Sequence, residues 1–141
     1  MRITEKDIKK KVVSELKRAG FNVLATEIDE GFKKPAVFVN VYPSNITLQN
    51  KDVEDVSDTV EIRYYPIKET TEKCAEAAEK IRQTFMYKPL DVKERHLTIQ
   101  SMEIDIENCV LYVYFEVEYT QMTPNNDKEY EIAEELELGG I

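Results

Sequence analysis

Leu111, Val113, Phe115, Val117 and Tyr119 occupy every second position of one run, with Tyr112, Tyr114, Glu116, Glu118 and Thr120 between them. Side chains of a strand point alternately to its two faces. This spacing therefore predicts a long strand over 110–121 with one apolar face and one polar face. A strand of that kind belongs in a sheet whose apolar side is covered by other elements.

Two segments have the helical period needed for such a cover. Thr4 followed by Asp7 reads as a capping box, and Ile8, Val12 and Leu16 then recur four apart, flanked by Val13 and Ala19. Lys17 and Arg18 suit the last turn, and Gly20 is placed to end the helix. Its outer face is basic, with Lys6, Lys9, Lys10, Lys11 and Lys17, read as a solvated face or a contact for phosphate or an acidic neighbour. The second helix opens at Thr70 or Thr71 and buries Cys74, Ala78, Ile81 and Phe85, with Pro89 just beyond it.

Phe21–Ile28 reads as a strand, Asp29-Glu30-Gly31 as a turn, and Pro35–Tyr42 as the returning strand of a hairpin, closed by Pro43. Ser44–Asp55 is polar without a period and is expected to be a long loop. Val56–Tyr65 predicts a further strand with Val60, Ile62 and Tyr64 on one face, stopped by Pro66. Leu97 and Ile99 fall on odd positions, whereas Met102, Ile104 and Ile106 fall on even ones. The change of parity predicts a bulge or bend near Gln100-Ser101. A turn at Glu107-Asn108-Cys109 then sets Asp105 opposite Tyr112 and Glu103 opposite Tyr114. The expected fold is α+β, a mainly antiparallel sheet with two helices packed on one face. Residues 1–123 form the single domain and 124–141 an acidic C-terminal arm.

The net charge of −9 is uneven. The arm carries Asp127, Glu129, Glu131, Glu134, Glu135 and Glu137 against Lys128, hence −5 of the total. Acidic surfaces repel phosphate, which argues against nucleic-acid binding. No apolar run is long enough for a membrane span, and Met1-Arg2-Ile3-Thr4-Glu5 does not resemble a signal peptide, so the chain is expected in the cytoplasm until assembled. Cys74 and Cys109 form no CxxC pair and read as two small buried side chains. The one histidine, His96 beside Arg95, reads as a surface or turn residue.

Catalysis finds little material here. No serine or cysteine stands in a nucleophile motif, two cysteines and one histidine do not make a zinc site, and no glycine run cradles phosphate. No enzyme activity, cofactor or metal is therefore expected. Glu103, Asp105 and Glu107 share one strand face. They read as a cation patch, as the wet side of a sheet, or, mixed with tyrosines, as a subunit contact.

The stretch Glu30-Gly31-Phe32-Lys33-Lys34-Pro35-Ala36-Val37-Phe38-Val39 resembles the first hairpin of the tail terminator proteins of Gram-positive prophages and other long-tailed phages. The resemblance continues through Ile62-Arg63-Tyr64-Tyr65-Pro66, the Ala-rich helix, the hairpin at Glu107-Asn108, the long strand to Tyr119 and the acidic arm. It implies a structural subunit that caps the tail tube, usually as a six-subunit ring, and offers the docking surface for the head connector. The partners implied are further copies of the chain, the tail tube protein and the head–tail connector protein, in the virion tail after assembly in the host cytoplasm. Residue chemistry nominates Phe32, Lys33, Asn45, Asn50, Glu103, Asp105, Tyr112, Tyr114, Tyr130 and Leu136 for subunit or partner contacts. Other neck or minor tail proteins, and an acidic-tailed binding module or assembly chaperone, are the alternatives.

Overall fold

The computed structural model describes residues 2–24 and 31–124. Its elements, in chain order, are α1 (Glu5–Arg18), β1 (Ala36–Leu48), β2 (Val53–Tyr65), α2 (Thr71–Phe85), β3 (Leu90–Val92), β4 (Arg95–Leu97), β5 (Met102–Glu107) and β6 (Val110–Met122). Four strands make an antiparallel sheet in the order β1-β2-β6-β5, and β3 pairs with β4 in a small second sheet. The α+β expectation is met.

The helices begin where the capping residues put them. Asp7 N–H donates to the Thr4 hydroxyl at 3.3 Å, and Thr4 N–H donates back to the Asp7 carboxylate at 2.9 Å. That reciprocal bond holds the Asp7 carboxyl below its usual range, ahead of the smaller effect of Lys93. Thr70 caps α2 by accepting from Lys73 N–H. Ile8, Val12 and Leu16 from α1, and Cys74, Ile81 and Phe85 from α2, are fully buried against one side of the sheet. Each large aliphatic buried this way contributes about 1.5–3 kcal/mol. The sheet supplies Val37, Val60, Ile62, Leu111, Val113 and Val117, all without solvent contact.

Glu107 pairs with Val110, and the two residues between them, Asn108 and Cys109, have φ of 50° and 61°. Positive φ at both central positions is what a two-residue hairpin needs to match strand twist. The turn and the Asp105–Tyr112 and Glu103–Tyr114 pairings stand as expected.

The first hairpin does not. The described part of Phe21–Ile28 forms no strand; Val23 makes a single bridge to Val37, and it is parallel rather than antiparallel. The remainder of that segment, residues 25–30, lies outside the described residues. Nor does Pro43 end β1, which runs on to Leu48 with a register shift between Pro43 and Asn45. Proline is tolerated there because β1 is an edge strand and the bulge leaves no ladder bond to lose. The expected long loop over Ser44–Asp55 is instead the end of β1, a short turn and the start of β2. Asn50 organises that turn, its side-chain oxygen accepting from Asp52 N–H at 2.8 Å and Val53 N–H at 3.0 Å.

The parity change near Gln100-Ser101 is also more than a bulge. Leu97 ends β4 of the small sheet, residues 98–101 leave regular structure with Ile99 buried among them, and β5 then joins the four-stranded sheet. Of the cysteines, Cys74 is buried and Cys109 only half-buried, and both are free thiols. The Cys74 thiol donates to the Cys109 carbonyl at 3.5 Å, and burial pushes its pKa up. His96 on β4 is exposed and meets Asp91 across the small hairpin.

Candidate assembly surface

Strand register decides which side chains share the sheet face opposite α1 and α2, which among the described residues no helix covers. Residues directly paired across a sheet point to the same side. One lateral row is therefore Phe38, Arg63, Tyr112 and Asp105, and the next is Asn40, Glu61, Tyr114 and Glu103. Tyr42, Thr59 and Glu116 follow, then Asn45, Ser57 and Glu118, then Thr47, Asp55 and Thr120. Along this face stand Asp55, Glu61, Glu103, Asp105, Glu107, Glu116 and Glu118 against Arg63.

The face is acidic but ordered. Arg63 pairs with Glu61 at 3.2 Å and lies over the Phe38 ring at 6.0 Å. Asp55 accepts from the Thr120 hydroxyl at 2.5 Å and from the Gln49 amide at 2.8 Å, which together hold its carboxyl below the usual range. Burial, then the negative charge of Glu61, pushes the Tyr114 hydroxyl up, so it stays a neutral donor. A depression of about 330 Å³ is lined by Asn45, Thr47, Asp55, Ser57, Glu118 and Thr120. Another, of about 370 Å³, is bounded by Tyr42, Thr59, Ser101, Glu103 and Tyr114. Among the described residues no group of three or more acidic, histidine or cysteine side chains gathers as a metal site.

The nominated residues divide. Glu103, Asp105, Tyr112, Tyr114 and Asn45 come together on the bare face. Asn50 sits at the hairpin tip, where its amide serves the turn. Phe32 packs edge-on against Phe38 at 5.1 Å and Tyr65 at 4.9 Å, closing the other end of the same face, and Lys33 beside it is exposed. Tyr130 and Leu136 lie outside the described residues.

Sequence reasoning missed the margins. β1 and β5 are the two edges of the sheet. On the helix side of β1, Ile46 and Leu48 are 55% and 64% exposed, and on the helix side of β5 Ile104 is 46% exposed. All three continue inward-facing rows past the reach of the helices, so their alternation was legible once the strands were extended.

It also missed a polar cluster inside. Asp58 is fully buried in the row of Val56 and Val60. The Tyr119 hydroxyl donates to Asp58 at 2.7 Å and lies 3.3 Å from the Glu5 carboxylate on α1. Burial raises the Asp58 pKa to about 6, against the Tyr119 hydrogen bond and with help from Glu5. The Tyr119 pKa is pushed upward by burial first and then by Asp58.

Within the described residues no helix is long and apolar enough to cross a membrane. A family model described as phage tail terminator protein matches residues 7–129. Among curated proteins, none matches the chain significantly.

Proposed function

The chain belongs to the phage tail terminator family, and from that premise we propose that it is the subunit of a ring that caps the finished tail tube. Membership makes it a structural tail protein, in a family that is not an enzyme class. The ring, its contact to the tail tube protein and its docking of the head connector are the finer reading.

The observation that carries the ring is a sheet whose two edge strands carry exposed apolar side chains on the same side, β1 being bridged among the described residues only near Val37, by residues 22–24. Strand direction alternates across β1-β2-β6-β5, so β5 of one copy runs antiparallel to β1 of the next. Such a contact is head-to-tail, and head-to-tail contacts close into rings when the rotation per step allows. It covers Ile46, Leu48 and Ile104 and removes both exposed edges, which otherwise invite uncontrolled pairing. The bare acidic faces then point together into the lumen. Like charge keeps phosphate from adhering to the wall while DNA passes.

Electron microscopy of lysates from an induced lysogen, with and without this gene, tests the role. Overlong tails and DNA-filled heads left unattached are the expected outcome of the deletion. Normal tails joined to heads would sink it. Ile104→Asp in the purified chain separates the edge contact from the role: it is expected to shift the sedimenting species to monomer while leaving the fold intact.

A further inference from the structure

We propose that the acidic arm, residues 125–141, docks in its own chain on the outer face of α1. This concerns a single subunit and stands whether or not a ring forms.

Lys6, Lys10 and Lys17 are exposed and lie four and eleven residues apart, which places them on one narrow stripe opposite Ile8 and Val12. Lys9 flanks it, half-buried. None of these four has an ion-pair partner among the described residues. Their neighbours do: Lys11 is held by Glu15 at 3.0 Å, Arg2 by Glu54 at 3.1 Å and Lys93 by Asp7 at 3.2 Å. The stripe is a positive surface whose counter-charge lies elsewhere.

The arm leaves the fold beside it. The last strand is tied to the start of α1, with Ile3 N–H donating to the Gln121 side chain at 3.1 Å and Arg2 donating to the Met122 carbonyl. Thr123 is anchored in turn, its N–H to the Asp52 carbonyl at 2.9 Å and its hydroxyl to the Lys51 carbonyl at 2.8 Å. The chain beyond Pro124 therefore begins beside Arg2 and Ile3, the residues that lead into α1. From Lys6 to Lys17 the helix rises about 16 Å, and an extended chain spans that in roughly five residues. The segment from Glu129 to Glu137 is long enough to follow the whole stripe.

Charge selects the helix over the sheet. The arm carries Asp127, Glu129, Glu131, Glu134, Glu135 and Glu137 with one lysine. The bare sheet face is acidic and repels it. Exposed ion pairs are individually weak and screened by salt. A tethered partner, however, sits at an effective concentration on the millimolar order, which populates contacts that free peptides would not make. The docked arm hides the basic stripe from DNA phosphate and from the acidic face of a second copy.

Zero-length carbodiimide cross-linking of the full chain, mixed from light and heavy nitrogen-labelled protein, tests this directly. Arm glutamates are expected to couple to Lys6, Lys10 and Lys17 within chains of one isotope. The yield should fall about fivefold or more in about 0.5 M salt, where the screening length is only a few ångströms. Coupling spread evenly over Lys33, Lys51 and Lys68 would overturn the proposal. Mixed-isotope products would also overturn it, by moving the arm to a neighbour.

Discussion

The inward face of the sheet has two ends that obey the same alternation and are built from opposite chemistry. Under the helices, Val37, Ile62, Leu111 and Val113 pack against Val12, Leu16 and Ile81 with no polar group among them. Toward the hairpin tip the same rows continue as Asp58, Glu54, Tyr119, Gln121 and Thr123, all buried or nearly so. Arg2 bonds Glu54 at 3.1 Å, and Gln121 lies between Glu54 and the Ile3 amide. Where two helices seal the face, apolar contact suffices. Where only the first turn of α1 and the N-terminal residues reach, water is close, and the chain uses hydrogen bonds to fix how α1 enters the sheet.

The sharpest way to break the apolar end is Leu111→Ala, which leaves a cavity in a fully buried site. A loss of about 2–5 kcal/mol is expected, read by chemical denaturation with an unchanged m-value. The polar end should respond to pH. Folding raises the Asp58 pKa from 3.8 to about 6. Its neutral form is thus favoured in the fold, so its stabilisation is complete below the unfolded value and is lost as pH rises through the folded one. That difference corresponds to a decline on the order of 2–3 kcal/mol between about pH 4 and pH 7. Asp58→Asn keeps an acceptor for Tyr119 and should flatten this decline, measured as melting temperature across pH. An unchanged slope in the variant would remove Asp58 as its source.

Smaller effects sharpen the contrast. Thr4→Ala removes the cap at the start of α1, where the polar end is anchored, and should cost about 1 kcal/mol. Ile46→Thr, beyond the reach of either helix, should change monomer stability by less than about 0.5 kcal/mol. Its effect belongs in sedimentation, as weaker self-association. A large loss of monomer stability instead would place Ile46 in the core.

Legibility followed the physics of cover. Both helices, their caps, the β5–β6 turn and the face of β6 could be read because each has one dry side and one wet side. The β1–β2 overhang could not. Its inward positions are exposed apolar residues, Ile46 and Leu48, on β1 and the charged Glu54 on β2, so the alternation is too short and mixed to mark strands, and Pro43 looks like a terminator until its place on an edge strand is known. Asp58 was hidden for the reverse reason, as a charged residue in a row that alternation alone assigns to the interior. Glu103, Asp105, Tyr112 and Tyr114 fall together on that face because register, read from one turn, was enough to align them, whereas Asn45 reaches it only through the unforeseen extension of β1.

Composition, period and capping residues by themselves determined an α+β chain with two amphipathic helices, a long last strand and an acidic end, because each depends on neighbours within one element. Tertiary structure alone decided that β1 and β5 are the edge strands of the four-stranded sheet, that seven carboxylates share one face, and that Asp58 meets Tyr119 and Glu5. Those pairings join residues as much as 114 positions apart, and no local pattern encodes a distance of that kind.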